Sequence, residues 1–231
     1  MAVIAAGGSG ERLGANSPKA LVLCNGRALL CWSVEAAASA RSVVAIVVAA
    51  HGDELAQFEE LVAECDLNGK PILVVPGGAS RSHSVRAGVL AAAVLEAYFN
   101  AIVVHDAARP LATGALFDAC IAQLADADCV VAAAPVADTI KIADAQQRVL
   151  QTPARSGMWA VQTPQAFRRE CLESALVVGE DQLAAASDDA SLAEANGAQV
   201  ELFANPLPNP KVTTAADLEF AQLLLARTTE T

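Results

Sequence analysis

Runs of consecutive apolar residues recur along the chain and alternate with longer amphipathic stretches. A run that is apolar at every position is typical of a strand whose two faces are both covered. Such runs predict strands at 3–6, 43–49 and 71–75, from Ala101 onward, and at 129–134, and a further strand is predicted at 199–203. Helical apolar spacing predicts helices at 28–40 and 53–65, from the turn at 77–85 to about Tyr98, and at 164–178, 187–196 and 215–227.

The order of these elements predicts the class of fold. Strands and helices alternate along most of the chain, which favours right-handed crossovers and a mostly parallel sheet. A chain of 231 residues, 54% of them hydrophobic, fits one domain with a sizeable core. We therefore predict an α/β protein with a single Rossmann-like domain over residues 1–231, built on a mostly parallel, helix-covered sheet.

The stretch from Val136 to Thr152 breaks this alternation. Its apolar residues flank a polar turn at 144–147, a pattern that predicts two short strands around a turn. A two-stranded ribbon is only marginally stable by itself and needs a partner surface. We therefore predict a protruding β-arm at about 136–155.

The net charge and the cysteines limit the classes of binding partner and the cellular location that we expect. A formal net charge of −11 argues against nucleic acid as the main partner, so any bound phosphate must be met by local cations. The six cysteines form no C-x-x-C pair and lie in apolar runs, which is typical of reduced, buried thiols in a cytosolic protein. No apolar run reaches about 18 residues and no secretory signal is visible, so we expect a cytoplasmic location and no membrane span.

The first predicted strand runs directly into a glycine-rich loop that carries two cations. Four glycines lie within residues 7–14, and Arg12 and Lys19 belong to the same segment. Glycines let backbone N–H groups approach a phosphate chain closely, because no Cβ stands in the way. The loop lacks the third glycine of the dinucleotide fingerprint and the Lys-Ser/Thr pair of a Walker loop. It predicts an anion cradle, with an ordinary strand-to-helix turn as the alternative.

A second glycine-rich loop follows the strand at 71–75. It carries Ser80, Ser82 and Ser84 just before a predicted helix. Serines at this place either cap the helix or read a base or ribose, and the pattern alone favours neither.

A third loop follows the strand that begins at Ala101, and it carries His105, Asp106 and Arg109. Polar residues at the carboxyl end of a central strand lie where open α/β sheets bind ligands. His105 is equally compatible with a buried structural role, whereas an aspartate at this strand exit is harder to explain structurally.

Taken in order, these loops resemble the 2-C-methyl-D-erythritol 4-phosphate cytidylyltransferases, a family of sugar-phosphate nucleotidyltransferases. The loops read G-x-G-x-R-(x)₆-K at 8–19, G-G-x-x-R-x-x-S-V at 77–85 and H-D-A-A-R-P at 105–110. Five further motifs fall in the family's order: Asp138-Thr-Ile-Lys141, Arg155-Ser-Gly-Met-Trp159, Thr163-Pro-Gln165, Asp188-Asp-Ala-Ser191 and Lys211-Val-Thr213. The resemblance spans essentially the whole chain.

The resemblance implies an enzyme that transfers CMP from CTP to 2-C-methyl-D-erythritol 4-phosphate and releases pyrophosphate, in non-mevalonate isoprenoid precursor synthesis. It implies Mg²⁺ as the divalent cofactor, held mostly by CTP phosphates, with Asp106 as the candidate protein ligand. It also implies a homodimer in which the β-arms are exchanged between subunits.

The family's motifs also imply roles for individual residues. Catalysis falls to Arg12 and Lys19. Nucleotide binding falls to Ala6, Gly7, Gly8, Ser9, Gly10, Lys19, Gly78 and Ser84. Sugar-phosphate binding falls to Asp106, Arg109, Thr139, Arg155, Thr163 and Lys211, with Thr139 and Arg155 reaching in from the arm of the second subunit. Gly7 stands where the family often has alanine, and Ala79 and His83 stand where it often has acidic or polar residues. Base selection is therefore expected to rest mainly on backbone groups.

Two other functions share parts of this pattern. A ribitol-5-phosphate cytidylyltransferase has the same fold and cradle and differs in the alditol pocket, where Thr139, Arg155 and Lys211 favour the methylerythritol enzyme. A catalytically silent nucleotide sensor of this fold would not need to keep both a triphosphate set and an acceptor set of residues.

Overall fold

The computed structural model describes residues 1–10, 13, 17–95 and 97–229. Its strands are β1 (Ala2–Ala6), β2 (Leu23–Cys24), β3 (Arg27–Ala28), β4 (Ile46–Ala50), β5 (Ile72–Pro76), β6 (Ala101–Asp106), β7 (Cys129–Pro135), β8 (Ile142–Ala143), β9 (Val149–Gln151), β10 (Trp159–Arg168) and β11 (Val200–Ala204). Its α-helices are α1 (Leu29–Ser39), α2 (Leu55–Ala63), α3 (Arg81–Ala91), α4 (Gly114–Gln123), α5 (Arg169–Ala175), α6 (Glu180–Ala185), α7 (Asp189–Ala195) and α8 (Ala215–Thr229).

Seven of the described strands form one sheet in the order β11-β7-β10-β6-β1-β4-β5. Neighbouring strands are parallel, except that β10 runs antiparallel to both β6 and β7. The predicted α/β class with a mostly parallel sheet is therefore confirmed.

Helices cover both faces of this sheet, as alternate residues of β1 show. Ile4 packs in a buried cluster with Phe58 of α2 and Phe117 of α4, on the face that α1 also covers. Val3 packs in a second buried cluster with residues of α3, α5, α6 and α7, including Leu183. Because both faces are buried, the strand is apolar at every position, which is why its pattern predicts it well.

The helix predicted at 164–178 is partly wrong. Residues 164–168 belong to β10, and α5 occupies only Arg169–Ala175. Gln165, Ala166 and Phe167 pair with β6 on one side and with β7 on the other. Pairing with two strands that are distant in sequence therefore overrides the local pattern.

Other differences are smaller. Helix α3 ends at Ala91 and passes into a 3-10 turn at Ala92–Val94, short of the predicted end near Tyr98. Helices α4 and α6 lie in stretches for which no element is predicted. Five of the six cysteines are buried, in line with the prediction, and Cys171 is partly exposed. None of the described helices has the length and apolar character that crossing a membrane requires.

The predicted arm contains a separate two-stranded ribbon. Strands β8 and β9 are antiparallel and pair with each other rather than with the seven-stranded sheet. Ile142, Val149 and Leu150 are 47%, 58% and 68% exposed. The ribbon therefore presents apolar side chains that the described part of this chain leaves uncovered.

Candidate active site

A cleft of about 730 Å³ lies at the carboxyl ends of β1, β4, β5 and β6. The segments that follow these four strands form its walls, and Lys211 and Thr213 close one side. Open parallel sheets bind their ligands at this edge. The cleft is therefore the candidate active site.

The loop after β1 folds back on itself at Lys19. The backbone N–H of Lys19 donates a 2.9 Å hydrogen bond to the carbonyl oxygen of Gly8. Gly10 has φ +80°, and a Cβ there would lie 2.7 Å from the carbonyl oxygen of Ser17, so only glycine fits. This fold places Lys19 in the cleft lining beside the glycines.

The predicted nucleotide set largely comes together along this wall. Its members that line the cleft are Ala6, Gly7, Gly8, Ser9, Gly10, Lys19, Gly78 and Ser84. Arg12, the other predicted catalytic residue, lies outside the described residues. The described part of the cradle therefore comprises residues 6–10, 13 and 17–19.

The loop after β5 meets the glycine loop at Ser84. The Ser84 hydroxyl accepts a 3.1 Å hydrogen bond from the Gly78 N–H and donates one of 3.0 Å to the Ser80 carbonyl oxygen. A Cβ on Gly7 would lie 3.2 Å from the same hydroxyl oxygen. Ser80 is the cap of α3, because its side chain accepts from the His83 N–H. Ser80 therefore caps the helix, as one alternative predicts, and both Ser80 and Ser84 line the cleft.

Asp106 is the centre of the opposite wall. Its Oδ1 accepts a 2.7 Å bond from Arg81 Nε, and its Oδ2 lies 2.8 Å from Lys211 Nζ and 3.7 Å from Arg109 Nε. Burial by itself would raise the pKa of this carboxyl, but Arg81 and Lys211 outweigh it and hold the pKa well below its usual range. Asp106 is therefore a carboxylate at any working pH.

Arg109 and Thr163 lie behind Asp106 rather than along the cleft. The Arg109 guanidinium donates to the backbone carbonyl oxygens of Asn209, at 2.7 Å, and Val161, at 3.4 Å. The Thr163 hydroxyl accepts a 3.0 Å bond from the Asp106 N–H. Arg109 and Thr163, both predicted to bind the sugar phosphate, therefore fix the position of Asp106 and of the segment that precedes Lys211.

His105 completes the support of Thr163. Burial lowers the pKa of His105 to about 3, so the imidazole is neutral. Its Nε2 faces the Arg109 carbonyl oxygen at 3.3 Å, and a carbonyl only accepts, so Nε2 carries the proton. Nδ1 then accepts from the Thr163 hydroxyl at 3.0 Å. Of the two alternatives left open for His105, the buried structural role is the one observed.

The two predicted residues of the arm do not reach this cleft within one chain. Thr139 and Arg155 are exposed, and neither belongs to the lining. The Arg155 guanidinium instead donates to the backbone carbonyl oxygen of Ala137.

Three cleft residues with polar or charged side chains received no role in the sequence analysis: His51, Arg81 and Thr213. Arg81 and Thr213 lie inside the family motifs, and His51 directly follows β4, so their positions in the sequence could have identified them.

Arg81 stays cationic. Burial would lower its pKa, but the carboxylates of Asp189 and Asp106 raise the pKa above the usual value. A chain of net charge −11 thus gathers cations where phosphates would bind.

The described residues can supply only a small part of the ligands of a metal ion. Among them, no three His, Cys, Asp or Glu side chains cluster at metal-binding distance. Each oxygen of a carboxylate has two acceptor sites, and Arg81 and Lys211 occupy one site on each oxygen, so Asp106 retains acceptor capacity for a cation. A single carboxylate fits Mg²⁺, which commonly keeps waters and substrate phosphates as its other ligands.

Known proteins resemble this chain over nearly its full length. The sequence model of the 2-C-methyl-D-erythritol 4-phosphate cytidylyltransferase (IspD) family matches residues 1–227. The chain is 42% identical over 227 residues to the 2-C-methyl-D-erythritol 4-phosphate cytidylyltransferase of Frankia casuarinae, a match that covers 98% of this chain and 81% of that protein. It is 40% identical over 223 residues to that of Synechococcus elongatus, with 96% and 94% covered. The crystal structure of 4-diphosphocytidyl-2C-methyl-D-erythritol synthase from Anaerococcus prevotii aligns with a TM-score of 0.79 at 27% identity, over 97% of each chain.

Proposed function

Because the chain belongs to the 2-C-methyl-D-erythritol 4-phosphate cytidylyltransferase family, it is a CTP-dependent cytidylyltransferase, and we propose that its acceptor is 2-C-methyl-D-erythritol 4-phosphate. The reaction then belongs to non-mevalonate isoprenoid precursor synthesis, and its products are the cytidine diphosphate derivative and pyrophosphate. The observation that carries the proposal is the pairing of two walls in one cleft. A glycine loop with Lys19 lines the same cleft as Asp106 and Lys211.

The chemistry needs positioning more than proton transfer. A phosphate oxygen of the acceptor forms a bond to the α-phosphorus of CTP, and the bond from that phosphorus to the bridging oxygen of pyrophosphate breaks. The attacking phosphate is already anionic near neutral pH, so no strong base is required. Catalysis then rests on alignment of the two substrates and on neutralisation of negative charge in the transition state.

The nucleotide lies along the first wall. Lys19 and the backbone N–H groups of residues 8–10 hold the triphosphate, and Arg12 acts on the pyrophosphate side. Gly78 and Ser84, with Ala6, lie against cytosine and ribose. A Cβ on Gly78 would lie 2.4 Å from the Cβ of His83, so packing within this loop requires glycine at position 78.

The acceptor lies along the second wall. Asp106 and Lys211 contact it directly, whereas Arg109 and Thr163 support them from behind. The bonds of Arg109 and Thr163 to backbone groups support this division.

Three further features complete the proposal. Asp106 would hold Mg²⁺ together with the CTP phosphates, and the ion would supply neutralisation of phosphate charge. A second subunit supplies Thr139 and Arg155 through its arm. The enzyme acts in the cytoplasm, without a nucleic-acid or membrane partner, as its buried thiols and acidic composition support.

Pyrophosphate release tests the acceptor. The purified protein should release pyrophosphate from CTP with 2-C-methyl-D-erythritol 4-phosphate and far more slowly with ribitol 5-phosphate, measured by a coupled phosphate assay. CTP without an acceptor is the blank. A clear preference for ribitol 5-phosphate would identify the alternative enzyme, and no release with either would favour a nucleotide sensor.

Metal removal tests the cofactor. EDTA should abolish turnover and added Mg²⁺ should restore it, yet nucleotide-free protein should retain no tightly bound ion, because one carboxylate alone binds Mg²⁺ weakly. Elemental analysis of dialysed protein measures the second point. One equivalent of metal in nucleotide-free protein would contradict the assignment.

A further inference from the structure

One quoted motif has no role in the function proposed above: Asp188-Asp-Ala-Ser191. Asp188 caps α7, since its Oδ1 accepts a 2.9 Å bond from the Ser191 N–H. Asp188 Oδ2 also accepts from Gln165 Nε2 at 2.8 Å, which ties this end of α7 to β10. The neighbouring Asp189 is not needed for either bond, and it is fully buried.

Asp189 is instead connected to the cleft by hydrogen bonds through Arg81. Arg81 Nη1 donates to Asp189 Oδ2 at 2.5 Å, and Arg81 Nε donates to Asp106 Oδ1 at 2.7 Å. A guanidinium is a rigid planar group, so bonds from two of its nitrogens to two carboxylates fix its orientation. Three charged side chains from α7, α3 and β6 therefore form one connected row that ends in the cleft.

We propose that Asp189 is a positioning residue for cytidylyl transfer. Asp189 holds Arg81, and Arg81 turns the Asp106 carboxylate so that Oδ1 faces α3 while Oδ2 faces Lys211 and the acceptor. The inference rests on the acceptor role proposed above for Asp106.

Packing alone does not account for this row. Ion pairs that are taken out of water contribute little net stability, and apolar residues of the same volume often stabilise a protein more. Asp189 Oδ1 and Arg81 Nη2 are also buried without a hydrogen-bond partner among the described residues. A row that costs free energy to bury, yet ends on a cleft residue, fits a role in placing that residue.

Two matched substitutions separate positioning from helix stability. Asp189→Asn and Asp188→Asn each remove one negative charge at adjacent positions with almost no change in volume. Asparagine caps helices as well as aspartate, and the Gln165 amide can turn so that its otherwise unpartnered Oε1 accepts from the new Nδ2, so Asp188→Asn should keep both α7 and activity. Asp189→Asn releases Arg81 and should lower kcat/KM for the acceptor by about 10- to 100-fold, because small misplacements of aligned groups carry costs of that order. The Kd for CTP should change less than about twofold, since the triphosphate wall is untouched.

A second variant shows whether Asp189 acts through Arg81. Arg81→Lys keeps the buried charge balance, but a single ammonium cannot span both carboxylates in the same geometry. It should impair the acceptor kcat/KM as Asp189→Asn does, and adding Asp189→Asn to it should cause little further loss. Circular dichroism and thermal melting record folding for each variant.

Several results would overturn the inference. The first is that folded Asp189→Asn or Arg81→Lys keeps the wild-type kcat/KM for the acceptor. The second is that Asp188→Asn lowers this kcat/KM as much as Asp189→Asn does. The third is that Asp189→Asn lowers it as strongly in the Arg81→Lys background as in the wild type. If Asp189→Asn does not fold, Asp189→Glu decides the question, because the longer carboxylate keeps the buried charge but shifts Arg81, and wild-type acceptor kcat/KM in that variant would overturn the inference. Failure of the proposed function is distinguishable, because then the wild-type protein itself would not use the acceptor.

Discussion

Lys19→Ala should lower turnover by on the order of 10²-fold or more while the protein stays folded, because a cation placed at a transferring phosphoryl group has effects of that size. Lys19 lines the cleft. The bond that shapes the loop, from the Lys19 N–H to the Gly8 carbonyl oxygen, belongs to the backbone and survives the substitution. The loss should therefore fall on catalysis rather than on folding.

Steady-state pyrophosphate release at saturating CTP and acceptor measures this effect, and thermal melting measures folding. Arg41→Ala is the matched control, since it also removes one cation, and the Arg41 side chain is 95% exposed and away from the cleft lining. It should keep wild-type turnover. Near wild-type turnover in Lys19→Ala would show that the glycine loop is not the triphosphate cradle.

Arg12→Ala is expected to behave in the same way. Arg12 lies outside the described residues, so its role rests on the spacing G-x-G-x-R-(x)₆-K and on the family resemblance.

The central strands were predictable because they are buried on both faces. In such a strand every side chain meets apolar neighbours, so an uninterrupted apolar run is a direct consequence of its place in the sheet. β10 was not predictable in this way. Its residues 165–167 become a strand only because β6 and β7 lie on either side, and both strands come from earlier parts of the chain.

The candidate site was likewise predictable only in part. Motifs identified the residues of the cleft walls, since Lys19, Asp106 and Lys211 all line the cleft. Their order along the chain could not tell a residue that lines the cleft from one that supports it. Arg109 donates to the Asn209 carbonyl oxygen, 100 positions away, and Arg81 binds Asp189, 108 positions away. Such long-range partners follow from topology and not from local spacing.

The arm raises the remaining question, because one chain does not complete the proposed site. Its ribbon leaves Ile142, Val149 and Leu150 exposed, and a two-stranded ribbon is marginally stable alone. A two-fold dimer in which each arm packs on the other subunit would bury these side chains reciprocally. It would also carry Arg155 to the neighbour's acceptor, where a guanidinium grips phosphate through two hydrogen bonds.

Mixing two inactive proteins, Lys19→Ala and Arg155→Ala, should therefore restore activity once their subunits exchange. In a mixed dimer, one site combines both lesions, and the other combines an intact cradle with an intact arm. Random exchange makes about half of the dimers mixed, so about a quarter of all sites should work, by the reciprocity of a two-fold interface. Pyrophosphate release measures the recovery, and native mass spectrometry measures the mixed dimer.

A second mixture is the control for this result. Lys19→Ala with Asp106→Asn pairs two lesions in residues that line the same cleft of one chain, so each site of a mixed dimer keeps one lesion and activity should stay low. Recovery in the first mixture and not in the second requires that Arg155 act across the interface. If the first mixture stays inactive although mixed dimers are present, Arg155 serves its own subunit, and the arm exposes its apolar residues for another reason.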